Sequence, residues 1–518
     1  MSTIAPVVPT APRDQSDRTF RLILTAFAVT AGILILSQLV LIFWADNGFT
    51  GGECVVAAHS SMLVHDGKLY YDFHREPYTV APYTPLFYLL DAGLQKIGLP
   101  IYTSGRIISF AGALGIVALT WFLTLLYTRD RSAAAMGALL CASSSLLFNW
   151  GTVGQVDVLA LFWALAAFYF YSRYTILAES TLLLAGVCAL LAFFTKQTML
   201  ACPAAICLHL FFSGRGMTAL KFASGCFAAA AILVFSLNRA TDGLFLADTV
   251  FGNVNPYAFD KFLAQARFLA LVAGPLVLVA AIGVRKAIRK TGAAPFLYLA
   301  LAGLVFLGSA ARVGSDLNYQ LEFTVVLILC ASLSLHALDF FSLSSRRAGT
   351  WVTLLQLPLG VFLVVNYRTT VFALLGRVAG EQQTRAEMAA IASSLTSEGR
   401  VLSADYNAVV RLRGRLDCEM AFYNLLVKEG AVDPEPLRRD IASGRFSAIV
   451  LLEDVRTDHA PLPVEISTLP AAQLAEIRKA YALVKHIPGP VLDGIYVYQP
   501  AGRAPGPRPT PSSATKSD

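Results

Sequence analysis

Apolar stretches close to helix length recur along this chain from residue 20 to residue 366, and no other feature constrains its fold so strongly. Each approaches the roughly 20 residues an α-helix needs to cross the hydrocarbon core of a bilayer. Composition agrees. The chain is 56% hydrophobic and 14% charged, with a mean hydropathy of +0.60, against about 45–50% and about 25% in soluble domains. A soluble fold of 518 residues would divide into several domains with polar surfaces throughout. The run from Leu22 to Trp44 is too long for a signal-peptide core, and no small-residue cleavage site follows it. It reads as a retained helix, and the chain as a polytopic α-helical membrane protein.

About eleven spanning helices are expected, over 21–44, 107–127, 133–149, 156–172, 181–194, 199–213, 219–237, 266–284, 294–311, 320–340 and 350–367. Arg13, Arg18 and Arg21 precede the first and place the N-terminus in the cytoplasm. The basic loops at Arg129 and Arg131, Arg173, Arg215 and Lys221, Arg285 to Lys290, and Arg346–Arg347 then all fall on that same side. Segments 45–106, 150–155, 195–198, 238–265 and 312–319 fall on the far side. The first of these carries an amphipathic stretch, Pro85 to Ile97, suited to lying along the membrane surface. The expected organisation is a cytoplasmic tail (1–20), a transmembrane domain (21–370), an extracytoplasmic α/β domain (371–500) and a disordered tail (501–518) rich in Pro, Ser and Thr.

Within the α/β domain, Arg400 to Ala404, Ser447 to Asp454 and Ile495 to Tyr498 read as strands and Asp433 to Ser443 as an amphipathic helix. Neither of the first two strands is followed by a Gly-x-Gly-x-x-Gly loop, which argues against nucleotide binding there. The formal charge of +7 sits mostly in short loops, where it sets orientation rather than binding nucleic acid. Six of the eight cysteines lie inside apolar runs as small core residues. Cys54 and Cys418 share the outer side and could pair there, although their spacing does not argue for it.

Ionisable groups near membrane helices are costly and need a reason. Asp157 starts the fourth span. Lys196 and Gln197 sit at the outer turn between the fifth and sixth. Asn318, Tyr319 and Glu322 open the tenth, just after Arg312. The first outer loop adds Asp46, Glu53, His59, His65, Asp72, His74 and Tyr83, with Arg106 at its end. One acid or lysine at a helix end is an ordinary interfacial group. Four loops presenting acids, a lysine and amides at one depth read instead as a site for a lipid-phosphate headgroup and a polar acceptor. The histidines lack a metal-binding spacing such as His-Glu-x-x-His.

These motifs, in this order, resemble the polytopic GT-C glycosyltransferases that use polyprenyl-phosphate sugars, the protein O-mannosyltransferase and aminoarabinose transferase group in its bacterial branch. The resemblance runs through Gly52–Glu53, Leu63 to Asp72, Tyr83 to Leu86, Gly105 to Ser109, Gly154 to Asp157, Thr195 to Thr198 and Asn318 to Glu322. It implies an inverting transfer from a polyprenyl-phosphate sugar to a glycan, lipid or protein acceptor, in the bacterial cytoplasmic membrane with the site and C-terminal domain outside. By position it gives the essential acid to Glu53. Many relatives carry an adjacent acidic pair, whereas Cys54 follows here, which leaves open whether Glu53 acts alone or with Asp46 or Asp157. A carboxylate base takes the acceptor proton and a cation meets the leaving phosphate: Lys196 first, then Arg312 and Arg106. Gln197, Asn318, Tyr319, Glu322, His59 and Tyr83 would line the cavity. Some relatives require a divalent metal and others do not. The competing class is a lipid-linked-sugar flippase or transporter, which would carry charges through the full membrane depth and an inverted repeat.

Overall fold

A computed structural model describes residues 13–253, 255–312, 314–341, 346–395, 399–457, 469–489 and 494–502. The expected C-terminal tail beyond residue 502 and the first twelve residues of the cytoplasmic tail lie outside them. Two compact units emerge, one of residues 1–71 and 81–385, the other of residues 72–80 and 386–518.

Unit 1 is helical. Its elements are α1 (Arg13–Trp44), α2 (Gly51–Asp66), α3 (Leu86–Lys96), α4 (Ile101–Thr128), α5 (Arg131–Ala142), α6 (Ser145–Gly151), α7 (Val156–Leu177), α8 (Leu182–Thr195), α9 (Ala201–Phe212) and α10 (Gly216–Ala240). A short α11 (Leu244–Leu246) runs into one π-helical turn and is followed by α12 (Phe259–Thr291), α13 (Ala294–Ser309), α14 (Leu321–Ala337) and α15 (Arg346–Ala392). Every expected span is helical. Among the described residues seven helices are long and apolar enough to cross a membrane, and α5 with α6 forms a further pair bent by 59°. The protein is a multi-pass membrane protein. α8, α9 and α13, of 14, 12 and 16 residues, fall short of the roughly 20 residues a bilayer needs and pack beside longer neighbours. The bend at Ser143–Ser144 is covered by Asn366, whose Oδ1 accepts the Ser145 amide at 2.9 Å and its hydroxyl at 2.8 Å.

Three boundaries differ from the sequence reading. The first outer segment is not an open loop, because α2 lies inside it with Glu53 through Met62 buried. Its residues are apolar or small on every face, so no helical stripe marks it. Thr50 caps it by accepting the Glu53 amide at 3.0 Å. α4 begins at Ile101, which brings Gly105 and Arg106 into a helix. α15 continues to Ala392, past the expected end at 367 and across the expected domain boundary.

Unit 2 contains a four-stranded sheet in the order β1-β2-β4-β3, made of β1 (Arg400–Ser403), β2 (Phe446–Leu451), β3 (Tyr481–Ile487) and β4 (Ile495–Pro500). β1 pairs parallel with β2, and β4 pairs antiparallel with both β2 and β3. α16 (Tyr406–Arg413), α17 (Met420–Lys428), α18 (Glu435–Ala442) and α19 (Ala471–Ala480) complete it. β3 was not expected from sequence. Its burial alternates, as on an edge strand with one face open. Residues 72–80 are the part of the first outer segment that belongs to this unit. Tyr78 donates its amide to Asp417 O at 2.9 Å and accepts from the Glu419 amide at 3.0 Å.

Candidate functional site

α7 and α8 are consecutive packed helices joined by a tight turn, so the start of α7 and the end of α8 lie at one end of a hairpin. This is why Asp157, in the first turn of α7, and Lys196, capping α8, meet although 39 residues apart. Lys196 Nζ donates to Asp157 Oδ1 at 2.5 Å, with 2% and 1% of the two side chains exposed. The 3₁₀ turn Leu317–Gln320, capped by Asp316, supplies Asn318. Asn318 donates to the same Asp157 oxygen at 3.0 Å, and Lys196 Nζ stands 4.2 Å from the Tyr319 ring centre. Asp157 Oδ2 and Asn318 Oδ1 are buried with no hydrogen-bond partner among the described residues. Lys196 commits one of its three donors to Asp157.

Glu322 lies one turn further into α14, where it accepts from the Tyr298 hydroxyl at 2.8 Å. Gln197 holds the loops together. Its amide donates to Pro82 O at 2.8 Å and Thr249 O at 3.2 Å, while Thr84 donates to Phe193 O at 2.8 Å.

A second buried ion pair joins α2 to α4. Arg106 Nε donates to Glu53 Oε1 at 2.8 Å, and both side chains are buried. The rest of the guanidinium is occupied by Ala45 O at 2.7 Å, by Asn47 O and by Glu53 Oε2 at 3.1 Å. Glu53 is equally occupied, accepting the Gly154 amide at 2.7 Å and the Phe49 amide at 2.5 Å. Gly154 packs closely on α4, since a Cβ there would come 3.1 Å from the Gly105 backbone, tighter than most such contacts. The Phe49 ring lies between Arg106, 3.9 Å from its centre, and Arg377, 4.6 Å from it. Arg377 also donates to Thr152 Oγ1 and to Asn149 O, the latter at 3.0 Å.

Four of the expected site residues therefore converge: Asp157, Lys196, Asn318 and Tyr319, with Gln197 and Glu322 on the same segments. Others depart from the expectation. Arg106 has its donors filled by Glu53 and by carbonyls and none directed to a phosphate. Both Glu53 oxygens accept from protein donors. His59 is fully buried, with Nδ1 3.2 Å from Leu69 O. Asp46 is half-buried, and its amide donates to Glu381. Arg312 is exposed. Tyr83 is half-buried, and its carbonyl accepts from Tyr70. His65 and His74 are exposed. Among the described residues no group of three or more His, Cys, Asp or Glu side chains is arranged to hold a metal ion. Among the described residues no disulfide is formed, between Cys54 and Cys418 or elsewhere. Arg377 was missed in the sequence because it lies beyond the apolar window that ends the last expected span.

The helical bundle, its end-on cluster and the small α/β unit together have the polytopic GT-C glycosyltransferase fold. Residues 84–238 match the family described as dolichyl-phosphate-mannose-protein mannosyltransferase. Among solved structures, apo ArnT from Cupriavidus metallidurans aligns over 91% of this chain and 97% of its own at a TM-score of 0.62 and 13% identity. The same protein bound to undecaprenyl phosphate gives 0.59 over the same shares at 13% identity. The apo oligosaccharyltransferase of Archaeoglobus fulgidus gives 0.50 at 12% identity, over 83% of this chain and 70% of its own. At these identities the likeness is one of fold. No curated protein matches the sequence significantly.

Proposed function

We propose that this protein is an inverting glycosyltransferase that moves a sugar from a polyprenyl-phosphate donor to an acceptor hydroxyl on the outer face of the bacterial cytoplasmic membrane. The carrying observation is the open half of the Asp157–Lys196 pair: a buried carboxylate oxygen without a partner among the described residues, beside an ammonium with donors to spare. Burying such groups is costly unless something else completes them. A sugar or acceptor hydroxyl completes the carboxylate, and a phosphate oxygen completes the ammonium. The undecaprenyl phosphate bound to ArnT supports a lipid-phosphate donor.

In this reading the acceptor oxygen forms a bond to the anomeric carbon as the bond from that carbon to the phosphate oxygen breaks. The hydroxyl proton passes to Asp157 Oδ2, and the lipid phosphate leaves with the bonding electron pair. Lys196 meets the charge that grows on it, a contribution of the electrostatic kind that lowers barriers most. One displacement inverts the anomeric centre. Tyr319 faces the ammonium and holds it on the cluster. Asn318 orients Asp157 through its hydrogen bond to Oδ1. Base and acid exchange rank relative to the sequence expectation: Asp157 acts on the proton, while Glu53 is a positioning residue that holds Arg106 and the Gly154 amide and so sets where α7 begins.

The orientation rests on the basic loops, which put the starts of α7 and α14 and the end of α8 outside. The test is to incubate the purified protein in nanodiscs with radiolabelled polyprenyl-phosphate hexoses and pentoses and an envelope lipid and glycan extract. Transfer of label to an acceptor, with inverted configuration, is expected. Movement of labelled lipid-sugar across a vesicle bilayer, with no transfer from any donor, would replace this reading with a flippase.

A further inference from the structure

Unit 2 contains a cavity of about 460 Å³ whose walls carry Arg75, Arg400, Arg439 and Arg445 against the two carboxylates of Glu76 and Asp440. Three separate stretches of chain build it. The segment 72–80 brings Arg75 and Glu76, and α18 brings Arg439 and Asp440. Arg400 opens β1 and Arg445 immediately precedes β2, side by side because Arg400 is in register with Phe446 in the parallel pair. Glu76 is shared by Arg400 and Arg445, with Arg445 at 2.6 Å. Asp440 accepts the Tyr78 hydroxyl at 2.9 Å, with Arg445 3.7 Å away. Four guanidinium groups thus line the cavity against two carboxylates, an excess of positive charge. Arg75 pairs with Asp72 at 2.9 Å. Arg439 is exposed and makes no side-chain hydrogen bond or ion pair among the described residues. A fold gathers this excess of forked donors in a concavity when an anion is to be bound, since guanidinium groups match carboxylate and phosphate oxygens two at a time.

We propose that this cavity binds an anionic saccharide, one carrying a phosphate or a carboxylate, and so selects acidic acceptors. The volume falls in the range of small-ligand sites, about 300–1,000 Å³, and suits one or two sugar rings. This rests on the transferase reading above but concerns a different unit, and binding can be measured without turnover. The experiment is calorimetric titration of the full-length protein in nanodiscs with glucose 1-phosphate, glucuronate, inorganic phosphate and, as the uncharged control, glucose. Saturable binding of the two charged sugars is expected, weakening as salt is raised. Arg439→Gln, an exposed position whose change leaves the fold intact, weakens it about tenfold, the loss of one charge-assisted contact. Arg445→Gln weakens it further, and Lys196→Met leaves it unchanged. Absence of saturable binding overturns the proposal, as does glucose binding equally well. Inorganic phosphate binding as tightly as the sugar phosphate would make this a bare-phosphate site and overturn the saccharide assignment. Binding lost in Lys196→Met but kept in Arg439→Gln would assign the anion to the helical unit. None of these outcomes touches the transferase reading, which stands or falls on label transfer.

Discussion

Two buried ion pairs lie in unit 1, Gly154 beside one and Asp157 in the other only three residues apart, and they are built to opposite specifications. Around Arg106 and Glu53 the hydrogen bonds close on themselves: backbone amides and carbonyls fill the valences on both sides. Around Asp157 and Lys196 they do not, because one carboxylate oxygen and the neighbouring Asn318 oxygen stay unmet among the described residues. In the proposed reading the first pair fixes geometry and the second meets the ligand. Burial alone does not separate them, since each side chain is about equally hidden. The accounting of donors and acceptors does.

The sharpest way to break this comparison is to change the charges at the open pair. Asp157→Asn or Lys196→Met should lower label transfer by about 10²–10⁴-fold, the range for a positioned base or a phosphate-facing charge. Removing both should restore nothing. The opposite holds at the closed pair. Glu53→Gln should destabilise the folded protein by about 3–5 kcal/mol, because it leaves a guanidinium buried and unpaired. Thermal unfolding in detergent would report that loss, and Glu53→Gln combined with Arg106→Met should recover part of it.

The sequence already carried much of this, though unevenly. The spans were legible because a bilayer demands length and apolarity, two properties a window can count. Asp157, Lys196, Asn318 and Tyr319 were legible because charges and amides at helix ends are rare in such a chain. α2 was not, because a helix buried on all faces has no stripe. The roles of Glu53 and Arg106 were also hidden. Which of two acids is saturated depends on backbone amides contributed by Phe49 and Gly154, the latter 101 residues away, and no spacing announces that. Arg377 escaped because it lies beyond the last apolar window, and its partners Thr152 and Phe49 lie in distant segments.

A milder change sharpens the same contrast. Tyr319→Leu removes only the ring facing the ammonium and should lower transfer about tenfold or less, consistent with a cation–π contact of about 0.5–2 kcal/mol. The equivalent change at the closed pair, Phe49→Leu, should show mainly in thermal stability. Smallest is a pH effect confined to unit 2, where burial pushes Glu419 up to about 8 and Asp405 up to about 6. Raised folded values mean that both groups favour folding while protonated. Their contribution is complete below their unfolded values of about 4 and is lost as pH rises through 6 and then 8. Glu419→Gln should therefore raise the unfolding temperature by a few degrees at pH 9 and leave it unchanged at pH 4, read by scanning fluorimetry across that range.

The central claim is that the working acid is Asp157 and the holding acid is Glu53. Single-turnover transfer from a labelled polyprenyl-phosphate sugar, measured for wild type, Asp157→Asn and Glu53→Gln and expressed per folded molecule, tests it most directly. The account predicts that Asp157→Asn binds donor and fails to transfer, while Glu53→Gln yields fewer folded molecules that each transfer at a rate close to wild type. Folded Glu53→Gln that binds donor and cannot transfer, beside an active Asp157→Asn, would contradict it.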